Sequence, residues 1–210
     1  MILHHKVYMK KFIFLLFVLI SPLSVFAQKD KLTVSFEYPD DEYVLYLNRF
    51  LNIGMIKTIV RGDSLENKEY DIELVICRDG DLERKNLTEN INFKSRSDTL
   101  SFYFITQPLS SDKVKVEFYG ALGHKEEIEI ETINSLLIEP ENTNGYSYEE
   151  NIPLMTYSPG IIQEVEINGK PYQGMDVCGV RYSEIPPSEW YNKLGINNYL
   201  YFELVPKTKK

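Results

Sequence analysis

The sequence predicts a mainly β protein: an N-terminal antiparallel β-sandwich of immunoglobulin-like size over residues 28–138, then a smaller β-rich unit over residues 152–210 with one short helix. Three observations predict it. Short segments alternate apolar and polar residues with the period of two that half-buried strands show. Turn residues separate them at brief intervals. No amphipathic stretch between them is long enough for the crossover helix of a parallel α/β sheet.

In chain order, Leu32, Val34, Phe36 and Tyr38 alternate with Thr33, Ser35 and Glu37, and Pro39-Asp40-Asp41 ends that strand. Further strands are expected from Tyr43 to Leu47, Met55 to Val60, Tyr70 to Cys77, Thr99 to Thr106, Val114 to Tyr119 and Glu126 to Ile133. Arg61-Gly62-Asp63-Ser64, Asp79-Gly80, Gln107-Pro108 and the stretch from Gly120 to Gly123 supply turn chemistry between them. One hairpin register follows from charge: Lys113 opposite Glu131 and Lys115 opposite Glu129 on the wet face, with Val114 meeting Ile130 and Val116 meeting Ile128 on the core face. The acids from Glu126 to Glu131 then form a solvated strand face.

Residues 139–151 turn polar, with Pro140, Asn142, Asn144 and Gly145, and read as a linker or long loop. Beyond it, Ile161 to Ile167 and Lys170 to Gln173 flank Asn168-Gly169, the dipeptide suited to the two positive φ angles of a type I′ turn. Pro186-Pro187-Ser188 leads into a short helix from Glu189 to Leu194, with Ser188 as N-cap and Gly195 as the residue after its end. Tyr199 to Val205 closes the fold, with Leu200, Phe202 and Leu204 inward and Tyr199, Tyr201 and Glu203 outward.

Lys10-Lys11, the apolar run from Phe12 to Ile20, and Val25-Phe26-Ala27 have the order of a secretory leader, with cleavage expected after Ala27. The run is shorter than the ~20 residues that span a bilayer, so the expected product is not membrane-spanning. No cysteine near the cut could take a lipid, and the expected location is secreted or periplasmic, not lipoprotein. Cleavage removes Lys6, Lys10 and Lys11 but no acid, so a chain whose formal charge is already −8 becomes more acidic. Such a chain repels phosphate backbones and anionic lipid heads, which sets aside nucleic acid and leaves another envelope protein or a glycan as the expected partner.

His4 and His5 fall in the leader, so His124, in the turn-like Gly123-His124-Lys125, is the remaining histidine. Zinc sites need three or four His/Cys ligands, and serine or cysteine triads need a positioned imidazole; no metal, cofactor or catalytic residue is assigned, and no enzyme is expected. Asp79, Asp81 and Glu83 have the spacing that opens a calcium loop, but Arg84 and Asn90 stand where an EF-hand needs glycine and glutamate. Paired carboxylates could serve a glycosidase, yet with 31 acidic residues the sequence cannot select a pair. For Cys77 and Cys178 two readings stay open: a disulfide, worth about 4–5 kcal/mol for a loop of about 100 residues, or two separate thiols acting as small apolar groups.

Aromatic side chains are numerous, with 15 Tyr, 11 Phe and one Trp. Flat rings anchor protein interfaces and stack on sugars. The candidate binding residues are Tyr146, Tyr148, Tyr157, Tyr191, Tyr199 and Tyr201; Trp190, in a one-turn helix, reads as core.

The leader ending Val25-Phe26-Ala27-Gln28 and the mixture of Tyr, Asn, Lys and Glu resemble exported proteins of the Bacteroidota. Asp63-Ser64-Leu65 and Asp98-Thr99-Leu100 are similar to the triplet for O-linked glycosylation in that group. The stretch from Ile185-Pro186-Pro187-Ser188 to Leu194, with Tyr201-Phe202-Glu203, resembles the last β-domain of the periplasmic stalk protein of gliding motility and type IX secretion, without that family's longer spacing or its transmembrane helix. The expected function is that of a non-enzymatic β-domain protein of the cell envelope that binds another protein or assembles, using the aromatic, acidic surface of the second unit. The alternative is a carbohydrate-binding module with exposed tyrosines as its stacking platform.

Overall fold

The computed structural model describes residues 31–89, 93–110, 113–120 and 135–207. Antiparallel pairing builds two five-stranded sheets from them. The first has the order β6-β5-β2-β1-β8, made from β1 (Lys31–Glu37), β2 (Gly54–Arg61), β5 (Thr99–Pro108), β6 (Val114–Tyr119) and β8 (Tyr146–Ser147). The second has the order β4-β3-β12-β9-β7, made from β3 (Tyr70–Arg78), β4 (Asp81–Asn86), β7 (Leu136–Ile138), β9 (Ile152–Ser158) and β12 (Asn198–Pro206). A separate ribbon joins β10 (Ile161–Ile167) to β11 (Lys170–Asp176).

The two sheets face each other, as the alternation in their strands requires. Phe102, Phe104 and Phe118 project from the first sheet, and Leu74, Leu200 and Phe202 from the second, into one buried cluster. Ring contacts cross the interface: Phe202 lies 5.0 Å from Phe104 and 5.6 Å from Phe118. The predicted β-sandwich is therefore present.

Its boundary differs from the expectation. Strands on both sides of residues 139–151 share the second sheet, where β12 pairs with β3 over its whole length and with β9 on its other edge. Residues 152–207 supply central strands to the sandwich and do not stand as a second domain; Lys31–Lys210 forms one compact unit. The polar 139–151 stretch is a crossover between sheets, and β8 within it adds to β1. Its Pro, Asn and Gly content is the same for a crossover as for a linker.

Three elements depart from the period-two reading. Tyr43 to Leu47 is not a strand but part of helix α1 (Glu42–Leu51). The Asp41 carboxylate accepts a hydrogen bond from the Val44 backbone N–H at 3.0 Å, and Asn52 ends the helix in the left-handed conformation at φ 52°. These caps satisfy groups that alternation ignores. The charged edge strand β4 is defined by its pairing with β3 across the Asp79-Gly80 turn.

The third is β9, buried throughout although it contains Pro153. Register shifts between Phe202 and Glu203, leaving Leu154 as the extra residue of a bulge, where a strand tolerates proline. The Leu154 carbonyl accepts a 2.7 Å hydrogen bond from the buried Thr58 hydroxyl of the opposite sheet.

The Asn168-Gly169 hairpin forms as expected, with φ of 53° and 75° at its turn. The short C-terminal helix is α3 (Trp190–Leu194), entered through a 3₁₀ turn at Pro187–Glu189 and closed by Gly195 at φ 70°. Ser188 lies within that turn and does not cap the helix. With α2 (Cys178–Arg181) it covers the outer face of the second sheet, where Val75, Cys77, Val180, Trp190, Tyr199 and Tyr201 form a second buried cluster. His124 and the predicted register between 113–116 and 128–131 involve residues outside the described set. So does the leader.

Candidate interaction surface

The strand ends at Glu37, Gly54, Pro108, Leu136, Ser158 and Asn198 meet at one end of the sandwich, which also carries α1 and the base of the β10–β11 ribbon. None of the ten α1 residues is buried. Tyr43 and Phe50 are each 85% exposed, Tyr46 59% and Leu47 55%. At 100° per residue, positions 43, 46, 47 and 50 fall on one stripe, while the half-buried Val44 and Asn48 lie on another. Asp40, Asp41 and Glu42 bound the start of the stripe, and Arg49 lies near its end. The Asp41 and Asn52 caps support this helix; apolar burial does not.

Beyond the Asn52 cap lies a cleft of about 980 Å³, bordered by Leu136, Ile162, Met175 and Ile196. Leu136, Ile162 and Met175 are exposed. Apolar side chains are thus exposed at this end both on the helix stripe and along the cleft. Scattered exposed leucines are ordinary, whereas contiguous apolar surface bounded by polar groups marks contact sites.

A second cleft, of about 730 Å³, lies between residues 140–151 and 182–188, with Arg84, Tyr201 and Glu203 among its lining. Arg84 donates to Glu73 at 2.9 Å and to the buried Glu203. Burial works against the Arg84 charge, but these carboxylates outweigh it and hold its pKa above the usual value. Burial, helped by Glu203, pushes the Tyr201 phenol up. A guanidinium already held by two carboxylates and a phenol that keeps its proton make a structural network.

Another buried polar group sits beside α2. Glu139, 4% exposed, accepts a hydrogen bond at Oε1 from the Tyr38 hydroxyl and forms a 2.7 Å salt bridge with Arg181. Burial and the Glu139 bond push the Tyr38 phenol up. The contact ties the end of β1 to the crossover.

The predicted tyrosine platform is not assembled. Tyr157, Tyr199 and Tyr201 are buried, as is Tyr146, whose phenol burial raises to about 12. Tyr199 donates to the Pro187 carbonyl at 2.6 Å. Tyr148 meets Tyr70 edge-on at 5.9 Å and carries Lys68 Nζ 4.5 Å above its ring. Tyr191 is exposed on one side and packs its other side on Gly80, where an added Cβ would fall 2.6 Å from the ring. The outward direction predicted for Tyr199 and Tyr201 is right, but α2, α3 and their loops cover that face. Trp190 is core, as expected, and its indole donates to Ile185 O at 2.8 Å.

Cys77 is buried, Cys178 is exposed, and both are free, so the disulfide reading gives way to two separate thiols. Ser64 of the first glycosylation-like triplet has a buried hydroxyl without a partner; Thr99 of the second opens β5 and bonds to Asp98. Among the described residues no three His, Cys, Asp or Glu side chains converge on a metal-sized site, and no helix is long and apolar enough to cross a membrane.

Of the exposed aromatics on α1, Tyr43 and Tyr46 fall in the segment expected as a strand, and Phe50 lies just beyond it. Their spacing of three, four and seven, preceded by Asp41, was the available signal.

Comparison with known proteins finds no matching family model, no matching curated protein and no matching solved structure.

Proposed function

We propose that this chain is a non-enzymatic, exported binding module that acts by contact with another protein of the envelope, presenting α1 to an apolar groove on that partner. The observation that carries the reading is the stripe of Tyr43, Tyr46, Leu47 and Phe50 on a capped helix with no buried residue. Amphipathic helices dock through anchors at i, i+3, i+4 and i+7, and aromatic anchors supply much of the energy in such interfaces. The acids at the start of the helix favour a groove with a basic rim. The leader ending at Ala27 supports a site of action in the periplasm or outside the cell.

A photoreactive phenylalanine analogue at position 50, incorporated in the cell that makes the protein, tests this. One dominant adduct is expected, lost when Tyr43 and Leu47 are both replaced by Asp. Adducts no stronger than those from position 193, spread over many proteins, would refute it.

A further inference from the structure

The β10–β11 ribbon has no third strand among the described residues, and nearly all of it is exposed. Two-stranded ribbons are marginal in water. Open edges are normally blunted by brevity, charge or proline. β7 and β8 are short, and β4 is largely charged. The two edges of the ribbon differ in a way that register reveals.

A two-residue type I′ loop makes the closing pair, Ile167 and Lys170, a hydrogen-bonded pair. Alternation then makes Glu166–Pro171, Glu164–Gln173 and Ile162–Met175 non-hydrogen-bonded pairs. Their backbone groups point away from the ribbon. On the β11 edge, Pro171 therefore removes a donor at an outward position, the place where a strand tolerates proline. On the β10 edge, Ile162, Glu164 and Glu166 retain theirs.

The side chains beside that edge indicate what would pair with it. Gln163, Val165 and Ile167 share one face of the ribbon with Tyr172, and Val165, Ile167 and Tyr172 are exposed. Glu164 and Glu166 lie on the other face, opposite Gln173 and Pro171, with no cation across from them. A second copy fits poorly, since antiparallel β10 pairing in full overlap sets Glu164 against Glu164.

We propose that β10 is an acceptor edge for an extended segment of a partner protein in which Lys or Arg alternates with apolar residues. The basic side chains would face Glu164 and Glu166, and the apolar ones would lie beside Val165 and Ile167. The inference rests on the protein-contact reading above, but not on α1. Main-chain bonds supply affinity in strand addition, and alternate side chains supply selectivity.

The test uses the purified chain and a capped peptide of about eight residues alternating lysine and valine. Amide exchange at Ile162, Glu164 and Glu166 is expected to slow by about tenfold or more on saturation. Glu164→Pro, which deletes an outward donor, abolishes binding while the Asn168-Gly169 hairpin resonances persist. Glu164→Lys with Glu166→Lys transfers the preference to a peptide alternating glutamate and valine, which keeps the test valid if the proline variant unfolds the ribbon. Phe50→Asp leaves peptide binding unchanged, which separates failure at β10 from failure at α1. The proposal is overturned if the three amides gain no protection, if a same-composition peptide with a central proline binds as well, or if the charge-reversed variant keeps the original preference.

Discussion

Replacing Phe202 by Ala tests whether residues 152–207 belong to the sandwich. Phe202 is fully buried in β12, with ring contacts to Phe104 and Phe118 of the first sheet. Truncating a buried phenylalanine costs about 3–5 kcal/mol. Two aromatic contacts, each worth about 0.5–1.5 kcal/mol beyond area, place this site in the upper part of that range. Domains of this kind have about 5–15 kcal/mol in total, so the loss would move the urea midpoint far enough to read directly. Trp190, the one tryptophan, reports on the outer face of the second sheet. Fluorine-labelled phenylalanine reports on Phe102 and Phe118 in the first. Both probes should follow a single transition, and Phe202→Ala should shift both together. Two separated transitions, a shift at Trp190 alone, or a loss below about 1 kcal/mol would refute the single-sandwich architecture.

Thr58→Val leaves the Leu154 carbonyl without its donor and is expected to cost about 1–3 kcal/mol, with Thr58→Ser restoring most of it in the same urea titration. Tyr146, whose folded-state pKa is raised to about 12 by burial, stabilises the fold fully below its unfolded value of about 10. That stability falls as pH rises from about 10 to 12, by about 1.4 kcal/mol per pH unit; the urea midpoint measured alongside tyrosinate absorbance checks it, and a Tyr146→Phe variant should lose stability less steeply. Without reductant, alkylation should label the exposed Cys178 in the native protein and Cys77 only on unfolding; an unlabelled denatured chain would restore the disulfide. Tyr43→Asp should change stability by less than about 0.5 kcal/mol, because the ring is 85% exposed, while weakening the adduct formed from the photoreactive residue at position 50.

Strands bounded by turn chemistry were legible: β1, β2, β3, β5 and β6 lie close to their predicted spans, and Asn168-Gly169 fixed the hairpin because two positive φ angles are cheap there. Alternation failed where something else chose the conformation. From Tyr43 to Leu47 the odd positions look like a strand, but Asp41 caps an N-terminus and Asn52 adopts a left-handed φ, so the same residues coil. In β9 both faces are buried, which erases the alternation, and Pro153 sits in a bulge that only the partner strand defines.

The tyrosines show the limit of the same signal at the candidate site. A period of two states which side chains share a face; it does not state whether that face is wet. In β12 the face bearing Tyr199 and Tyr201 is closed by α2, α3 and the Pro186-Pro187 turn, which bring Trp190 to 5.5 Å from Tyr199. The chain between β11 and β12 is long for a simple hairpin connection, and that surplus was the sign of a covering layer. For α1 the converse holds: β1 and β2 pair directly through Glu37 and Lys57, so the helix between them hangs from their ends and has no sheet face to cover. Its aromatic rings remain outside the core because sheet pairing completes the sandwich without them, and that is why the helix, and not the tyrosine-rich strand, presents exposed aromatic side chains.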